Sequence, residues 1–262
     1  MTSSMVRSSP LQLREVKNLV VYFGGTGHLK QLSKFDLIMI DPDAYTAKDV
    51  LALKARGKIV IGYLSVGEAE NYRWFFSRVN PEWIRKENPN WPGNFYVDVN
   101  QPGWHRLLLN TVIPAILEKG FDGLYLDTVD TAGPYNFPEM EPGMVTLIKE
   151  IRKTFPGEIL IAANANFIIE KISSSLDALA VEDLFSHYDH EENFYKKTAR
   201  SVREPLIREL LSIRKKYKLP IFTIDYAGPT DRSLIKYAYR SSSSYGFIPY
   251  VGTVALDRIL FR

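Results

Sequence analysis

Short apolar runs alternate with amphipathic stretches along this chain. Eight runs of four to six residues, rich in β-branched and other apolar side chains, predict strands over Leu19–Phe23, Leu37–Ile40, Ile59–Leu64, Gly123–Leu126, Ile159–Ala162, Ala178–Val181, Ile221–Ile224 and Phe247–Val251. Most of these runs are continuously apolar rather than alternating. That pattern is typical of parallel strands that are covered on both faces.

Helical patterns lie between the predicted strands. They cover His28–Ser33, Ala47–Arg56, Trp104–Lys119, Met144–Phe155, Phe167–Leu176, Pro205–Tyr217 and Arg232–Ser241. Thr46 and Asp231 are the expected N-caps of two of these helices. Strands that alternate with helices in this number predict one (β/α)8 TIM barrel over residues 18–262, preceded by an N-terminal extension over residues 1–17. A doubly wound sheet is the alternative, although it usually has fewer strands and the glycines at 24, 25 and 27 do not form a G-x-G-x-x-G motif.

The segment between the third and fourth predicted strands breaks this alternation. Residues 68–102 are too many for an ordinary loop and are rich in aromatic side chains, with Trp91 among them. We therefore predict an aromatic-rich insertion after strand 3 that helps to build the functional site.

Composition narrows the function classes. The chain has 262 residues and a net charge of +3, which gives no reason to expect a nucleic-acid partner. No apolar run approaches the roughly 18 residues that would span a bilayer, so no membrane partner is expected. The absence of cysteine excludes disulfides and thiolate metal sites. No signal peptide is evident, which fits either a cytoplasmic protein or a secreted one whose signal has been removed.

Acidic residues stand where five of the predicted strands end. They are Asp41, Glu68, Asp127, Glu182 and Asp225. The carboxyl ends of barrel strands meet at one mouth, where functional groups of TIM barrels are found. Five carboxyl groups converging there repel one another, and folding does not require them, so a functional role is indicated.

Two chemistries use such a ring of carboxyl groups. One is the binding of Mg²⁺ or Ca²⁺, and the other is glycoside cleavage by a pair of carboxyl groups. The aromatic side chains favour the second, because sugars stack their C–H faces on aromatic rings. The expected substrate-binding residues near the mouth, besides the acids, are Tyr22, Tyr63, Ser65, Trp91, Asn164, Tyr226 and Tyr250.

Other polar residues near the mouth are assigned structural roles. Asp43, Asp130 and Asp183 are expected to cap helices or accept backbone N–H bonds. His105 lies at the start of a predicted helix, and His187 and His190 fall in a predicted polar loop after strand six.

Three motifs resemble those of the glycoside hydrolase family 114, the endo-α-1,4-polygalactosaminidase-like group. The first runs from Gly62 to Glu70 and continues in Tyr72-Arg73, the second covers residues 90–98, and the third covers Gly120–Asp130. The resemblance implies a (β/α)8 barrel that hydrolyses α-1,4-linked galactosamine polymers without a cofactor. It further implies that Asp127 is the nucleophile and Glu182 the general acid/base of a retaining mechanism. Two alternatives stay open: a non-catalytic carbohydrate-binding barrel, and a metal-dependent barrel enzyme that uses the acidic ring.

Overall fold

The computed structural model describes residue 13 and residues 15–260, so most of the predicted extension over residues 1–17 lies outside the described residues. Eight parallel strands form one sheet that curves into a barrel. Numbered in chain order among all strands, they are β1 (Leu19–Tyr22), β2 (Leu37–Ile40), β3 (Ile59–Ser65), β7 (Gly123–Asp127), β8 (Ile159–Ala163), β9 (Ala178–Glu182), β12 (Ile221–Tyr226) and β13 (Ile248–Gly252). Neighbours in the sheet follow the order β1-β2-β3-β7-β8-β9-β12-β13. The predicted TIM barrel is confirmed.

The barrel strands are buried because helices cover their outer face while their inner faces pack on one another. Nearly every residue of β1, β2, β8 and β12 is buried, in agreement with the continuous apolar runs of the sequence. Residues that pair on neighbouring strands point to the same face of the sheet, as Tyr63 of β3 and Tyr125 of β7 do. The same alternation places Ser65 beside Asp127 at the carboxyl ends of these two strands.

The helices surround the barrel. They are α1 (Leu29–Leu32), α2 (Ala47–Lys54), α3 (Pro102–Leu107), α4 (Ile113–Leu117), α5 (Glu141–Thr154), α6 (Ile169–Ile172), α7 (Arg200–Tyr217) and α8 (Arg232–Ser244). Short 3₁₀ segments cover Thr26–His28, Pro42–Ala44, Phe76–Arg78, Pro81–Trp83, Val129–Ala132, Pro138–Met140, Ala165–Ile168 and Ser173–Ser175. None of the helices in the described part of the chain is both long and apolar enough to cross a membrane.

The helix ends show why these segments stop and start where they do. Thr46 and Asp49 form a capping box at the start of α2, and the Asp231 carboxylate accepts from the Leu234 amide at the start of α8, as predicted. The stretch predicted as one helix from Trp104 to Lys119 contains a π-helical turn, Leu108–Val112, between α3 and α4. Pro114, in the first turn of α4, lacks the N–H that would continue the α-helical bonding pattern, which accounts for the widened turn before it.

The insertion after β3 forms a small sheet of its own. Its strands are β4 (Glu68–Glu70), β5 (Ile84–Glu87) and β6 (Asn94–Val97), and they pair antiparallel in the order β4-β6-β5. The predicted long insertion is therefore a structured platform that lies directly beside the carboxyl end of β3.

A second added element follows β9, where the sequence predicted only a polar loop. Strands β10 (Ser186–Asp189) and β11 (Phe194–Lys197) form an antiparallel hairpin. The prediction was wrong because the hairpin is short and rich in polar and charged residues, so it lacks the apolar run that revealed the barrel strands.

Candidate active site

A cavity of about 520 Å³ opens at the carboxyl ends of the barrel strands. That volume is within the roughly 300–1,000 Å³ typical of ligand sites. The cavity brings together most of the residues predicted from the sequence, namely Asp41, Tyr63, Glu68, Trp91, Asp127, Asn164, Glu182 and Tyr226. The two predicted catalytic acids therefore share one cavity, at the ends of strands separated only by β8.

Asp127 is held by the residue that follows it. The Thr128 backbone N–H donates to Asp127 Oδ1 at 2.8 Å, and the Tyr63 hydroxyl adjoins the same carboxylate and lowers its pKa. Thr128 adopts a left-handed conformation, with φ of +61°, which is rare for a β-branched residue. Its hydroxyl stabilises this conformation by donating to the Asp127 carbonyl at 2.6 Å and accepting from the Gly67 amide at 2.8 Å.

Glu182 is fixed at both carboxylate oxygens. The Tyr226 hydroxyl donates to Oε1 at 2.6 Å, and Asn164 Nδ2 donates to Oε2 at 3.1 Å. Asn164 also accepts from the Glu182 backbone N–H through its Oδ1 at 3.0 Å. The carboxyl group is thus oriented by neighbours from both flanking strands, β8 and β12.

Left-handed residues end three successive barrel strands. Thr128 follows β7, Asn164 follows β8, and Asp183 follows β9, with φ of +61°, +52° and +59°. Non-glycine residues in this conformation cost free energy, of order 1–3 kcal/mol each where the residue is bulky, and concentrate at functional sites. At the mouth of this barrel they turn the chain sharply beside the two acids.

Burial and proximity change the protonation of the two acids. Removal from water raises the pKa of Asp127 to about 7, and the Thr128 N–H acts in the opposite direction by stabilising the anion. Burial also raises the pKa of Glu182 well above its usual range, and the negative charge of Asp127 adds to that increase. A pair of carboxyl groups that resists double ionisation near neutral pH is the arrangement an acid and a nucleophile require.

One arginine compensates the acids on the β2 side of the cavity. Arg73 Nε donates to Glu70 Oε2 at 2.6 Å, and its Nη1 donates to Asp41 Oδ1 at 2.6 Å and to Asp43 Oδ2 at 3.1 Å. The guanidinium also lies over the ring of Tyr63, 5.4 Å from its centroid. Asp43, which was expected to cap a helix or accept a backbone N–H bond, is therefore an ion-pair partner.

The insertion also supplies an acid and aromatic rings to the cavity. Glu68 is buried and accepts from Asn88 Nδ2 at 2.8 Å, and burial raises its pKa. Trp91 lines the cavity with 41% of its surface exposed, and Tyr96 lies beside Glu68. Both aromatic rings can contact the apolar faces of a sugar.

Four of the predicted substrate-binding residues do not line the cavity. Tyr22 packs edge-on against His28, and Ser65 is occupied by the Thr128 hydroxyl and the Glu68 amide. Tyr250 is fully buried and donates to the Arg258 carbonyl at 3.4 Å. These placements are corrections to the predicted site.

Asp225 is the fourth predicted residue that does not line the cavity. Its side chain is 0% exposed and accepts from the amides of Phe185 and Ser186 at 2.6 Å and 2.9 Å. It shares a face of β12 with Thr223, whose hydroxyl bonds to Ser242 of α8, so this face points at the helices. Tyr226, one residue further, points into the cavity instead. The acidic ring predicted from strand ends therefore contains four of its five members.

Asp130, Arg73 and Tyr125 are among the cavity residues that were not predicted to act there. Asp130, assigned to a backbone role, lines the cavity, and burial raises its pKa. Arg73 was quoted only as part of a motif. Tyr125 lies two residues before Asp127 on the same strand face, and its buried hydroxyl has no well-formed hydrogen-bond partner although it adjoins Glu182. Strand periodicity was the signal that could have identified Tyr125.

His105 has the structural role expected from the sequence. Its Nδ1 lies 2.9 Å from Glu150 Oε2, and its Nε2 lies 2.8 Å from the Val99 carbonyl oxygen. Within the described residues, no group of three or more histidine or acidic side chains has the spacing of a metal site.

Comparisons with known proteins agree with this geometry. A sequence model of the glycoside-hydrolase family GH114 matches residues 8–261. An uncharacterized protein of Deinococcus radiodurans is 32% identical over an alignment of 249 residues that covers 88% of this chain and 77% of that protein.

Two solved structures share the fold. The glycoside hydrolase domain of PelA from Pseudomonas aeruginosa has a TM-score of 0.83 at 23% identity, over 93% of this chain and 97% of that one. Ega3 from Aspergillus fumigatus, solved in complex with galactosamine, has a TM-score of 0.74 at 15% identity, over 98% of this chain and 97% of that one.

Proposed function

This chain belongs to glycoside-hydrolase family GH114, and from that premise we propose that it cleaves the interior of an α-1,4-linked galactosamine-containing polysaccharide. The observation that supports this choice of substrate is the acidic lining of the cavity. Among the described residues, its lining includes one cationic side chain, Arg73, and six acids: Asp41, Glu68, Glu70, Asp127, Asp130 and Glu182. A chain whose net charge is +3 thus concentrates carboxyl groups where a sugar would bind. The ammonium groups of a deacetylated amino sugar can pair with these carboxyl groups and favour their ionised form, which burial alone disfavours.

We propose that the reaction proceeds in two steps with retention of anomeric configuration. The Asp127 carboxylate attacks the anomeric carbon, while Glu182 transfers its proton to the departing glycosidic oxygen. The Glu182 carboxylate then takes a proton from water, and the resulting hydroxide displaces Asp127 from the anomeric carbon. Donors to the Asp127 anion and the raised pKa of Glu182 support this division of roles.

The roles are tested with Asp127→Asn and Glu182→Gln. Each change preserves side-chain size and removes one ionisable group, so we expect a loss of at least about a thousandfold in kcat on polygalactosamine without a fall in Tm. For Glu204→Gln, an acid on the surface of α7 that pairs with Arg200 and lies outside the cavity, we expect cleavage close to wild type. Unimpaired cleavage by the Asp127 or Glu182 variant overturns the assignment.

The stereochemical outcome and the alternatives are measured in the same assay. Proton NMR of the first products distinguishes retention from inversion, and product lengths distinguish internal from terminal cleavage. Binding without any new reducing ends identifies a carbohydrate-binding barrel. Activity that is lost with a chelator and restored by Mg²⁺ identifies a metal-dependent enzyme.

A further inference from the structure

The two elements added to the barrel meet each other beside the cavity. The indole of Trp91, in the insertion after β3, contacts the imidazole of His190, at the turn of the β10–β11 hairpin. Their ring centroids lie 5.8 Å apart with the planes inclined by 71°. Neither the barrel nor its core needs this contact, because both residues lie beyond the strand ends.

The contact closes a ring of polypeptide. In the sheet, β7 and β8 lie between β3, which leads into the insertion, and β9, which leads into the hairpin. A covalent path through these strands, joined by the Trp91–His190 contact, therefore encircles the region above Asp127 and Asn164. The cavity lining includes Asn136 from the loop after β7 as well as Val254 from the segment after β13, so the cavity reaches from the loops after β7 to those after β13.

The insertion and the hairpin, the two arms that meet at the Trp91–His190 contact, are both firmly anchored. The hairpin is fixed at its base by the buried Asp225 carboxylate and by the Thr198 hydroxyl, which donates to the Asp183 carbonyl at 2.6 Å. Near its tip, the Tyr195 hydroxyl accepts from the Val254 amide at 3.2 Å. On the other arm, the Asn88 carbonyl accepts from the Trp91 amide at 3.2 Å, and the Asn88 side chain donates to Glu68.

The Trp91–His190 contact between the two anchored arms is weak. No hydrogen bond or ion pair joins the insertion to the hairpin among the described residues, so no polar bond reinforces the ring contact there. An edge-on aromatic pair is readily separated compared with the hydrogen-bonded arms on each side. Because both arms are anchored and the contact between them is weak, they should separate first at the Trp91–His190 contact.

We propose that Trp91 and His190 form a strap that opens to admit an internal stretch of glycan and then closes over it. The strap holds the chain at Asp127 and Glu182 for several cuts before release. This inference rests on the proposed function, because it requires a long glycan in the cavity. Trp91 lines the cavity, so its indole can stack on a sugar while His190 contacts another side of the same indole.

The first experiment measures release without cleavage. Labelled polygalactosamine is bound to the inactive Glu182→Gln protein, and its dissociation is followed after dilution, for a long polymer and for a tetrasaccharide. With His190→Ala added, we expect release of the long polymer to accelerate about tenfold and release of the tetrasaccharide to change less than twofold. Phe194→Ala, which removes an exposed aromatic ring from the same hairpin, is the matched control and should leave both rates unchanged.

The second experiment locks the strap. The sequence contains no cysteine, so a short bismaleimide reacts only at the two introduced positions of Trp91→Cys/His190→Cys in the Glu182→Gln background. The polymer carries a bulky group at each end, which prevents threading. Cross-linking before the polymer is added should reduce capture at least tenfold, and cross-linking afterwards should retain it through a high-salt wash. The same protein without cross-linker is the control.

The outcomes separate the strap from the proposed function. Equal capture by locked and unlocked protein, or release that is indifferent to His190→Ala, overturns the strap. Strap-dependent binding combined with no cleavage by the wild-type chain overturns the proposed function alone. A polymer that no variant binds overturns both.

Discussion

Individual side chains at the mouth of this barrel act mainly by setting the charge of their neighbours. Tyr226 and Asn164 donate to the two oxygens of Glu182, while Thr128 donates to Asp127. Each bond stabilises an anion that burial disfavours. The protonation state of the acid pair therefore depends on these donors as well as on the acids.

Tyr226→Phe should move the alkaline limb of the pH–activity profile to higher pH. Loss of the 2.6 Å bond to Glu182 Oε1 removes a donor that favours the carboxylate, so the pKa of Glu182 rises further. A general acid with a higher pKa stays protonated to higher pH, and we expect a displacement of about 0.5–1 pH unit. The measurement is kcat/KM against pH. A displacement to lower pH would contradict the sign.

Tyr125→Phe should separate stability from activity. The Tyr125 hydroxyl is buried without a well-formed partner, and such a group typically costs about 1–3 kcal/mol. Its removal should leave the free energy of unfolding unchanged or raise it by about 1 kcal/mol, as measured with urea. Because the hydroxyl adjoins Glu182 in the cavity, kcat/KM should fall at least tenfold. Full activity in a stabilised variant would show that the hydroxyl has no part in the reaction.

At the scale of elements, the barrel strands and the presence of a long insertion after β3 could be predicted from sequence. The strands inside that insertion and the hairpin after β9 could not. Strands buried on both faces leave apolar runs, so each predicted barrel strand lies within about two residues of the observed one. Segments such as Ile84–Glu87 and Phe194–Lys197 carry charged residues and pair only locally, so no periodic signal marks them.

The direction of individual side chains was the weaker part of the sequence prediction. Acids were assigned to the mouth because they followed an apolar run, and this rule placed Asp127 and Glu182 correctly in one cavity. It failed for Asp225, since β12 extends to Tyr226 and one residue along a strand reverses the face. Arg73 could not be identified because its partners come together only through the folded insertion.

The turn after β3 depends on a glycine. A Cβ on Gly67 would lie 2.1 Å from Thr131 Oγ1 and 2.4 Å from the Thr128 carbonyl oxygen, both in the segment that positions Asp127. We expect Gly67→Ala to reduce kcat/KM at least tenfold and the free energy of unfolding by about 1–3 kcal/mol. Gly27→Ala, where a Cβ would meet nothing within 4 Å, is the control and should change neither quantity. Wild-type activity in Gly67→Ala would show that the turn tolerates displacement.

At the scale of the whole molecule, buried acids couple stability to pH. Burial raises the pKa of Asp127 and of Asp225 to about 7, above the value near 4 expected in the unfolded chain. The folded state therefore binds more protons than the unfolded state in this interval, and the free energy of unfolding falls as pH rises through it.

We expect the Tm to be lower at pH 8 than at pH 5 for this reason. The corresponding loss in the free energy of unfolding should be at least about 2 kcal/mol, and it should be smaller in Asp127→Asn and in Asp225→Asn. Calorimetry across this range in buffers of equal ionic strength measures the effect. A Tm that rises with pH would show that these acids are ionised in the folded protein.

The barrel has a seam. Its hydrogen-bonded ladder begins at β1 and ends at β13, whereas β7, β8 and β9 occupy the middle of the order. Local unfolding of a sheet begins at a strand that is hydrogen-bonded to one neighbouring strand instead of two. Amide hydrogens of β1 and β13 should therefore exchange with deuterium before those of β7 and β9. The strands that carry Asp127 and Glu182 would then be among the last to open, which lets the protein fluctuate along one side while the spacing of its acid pair is preserved.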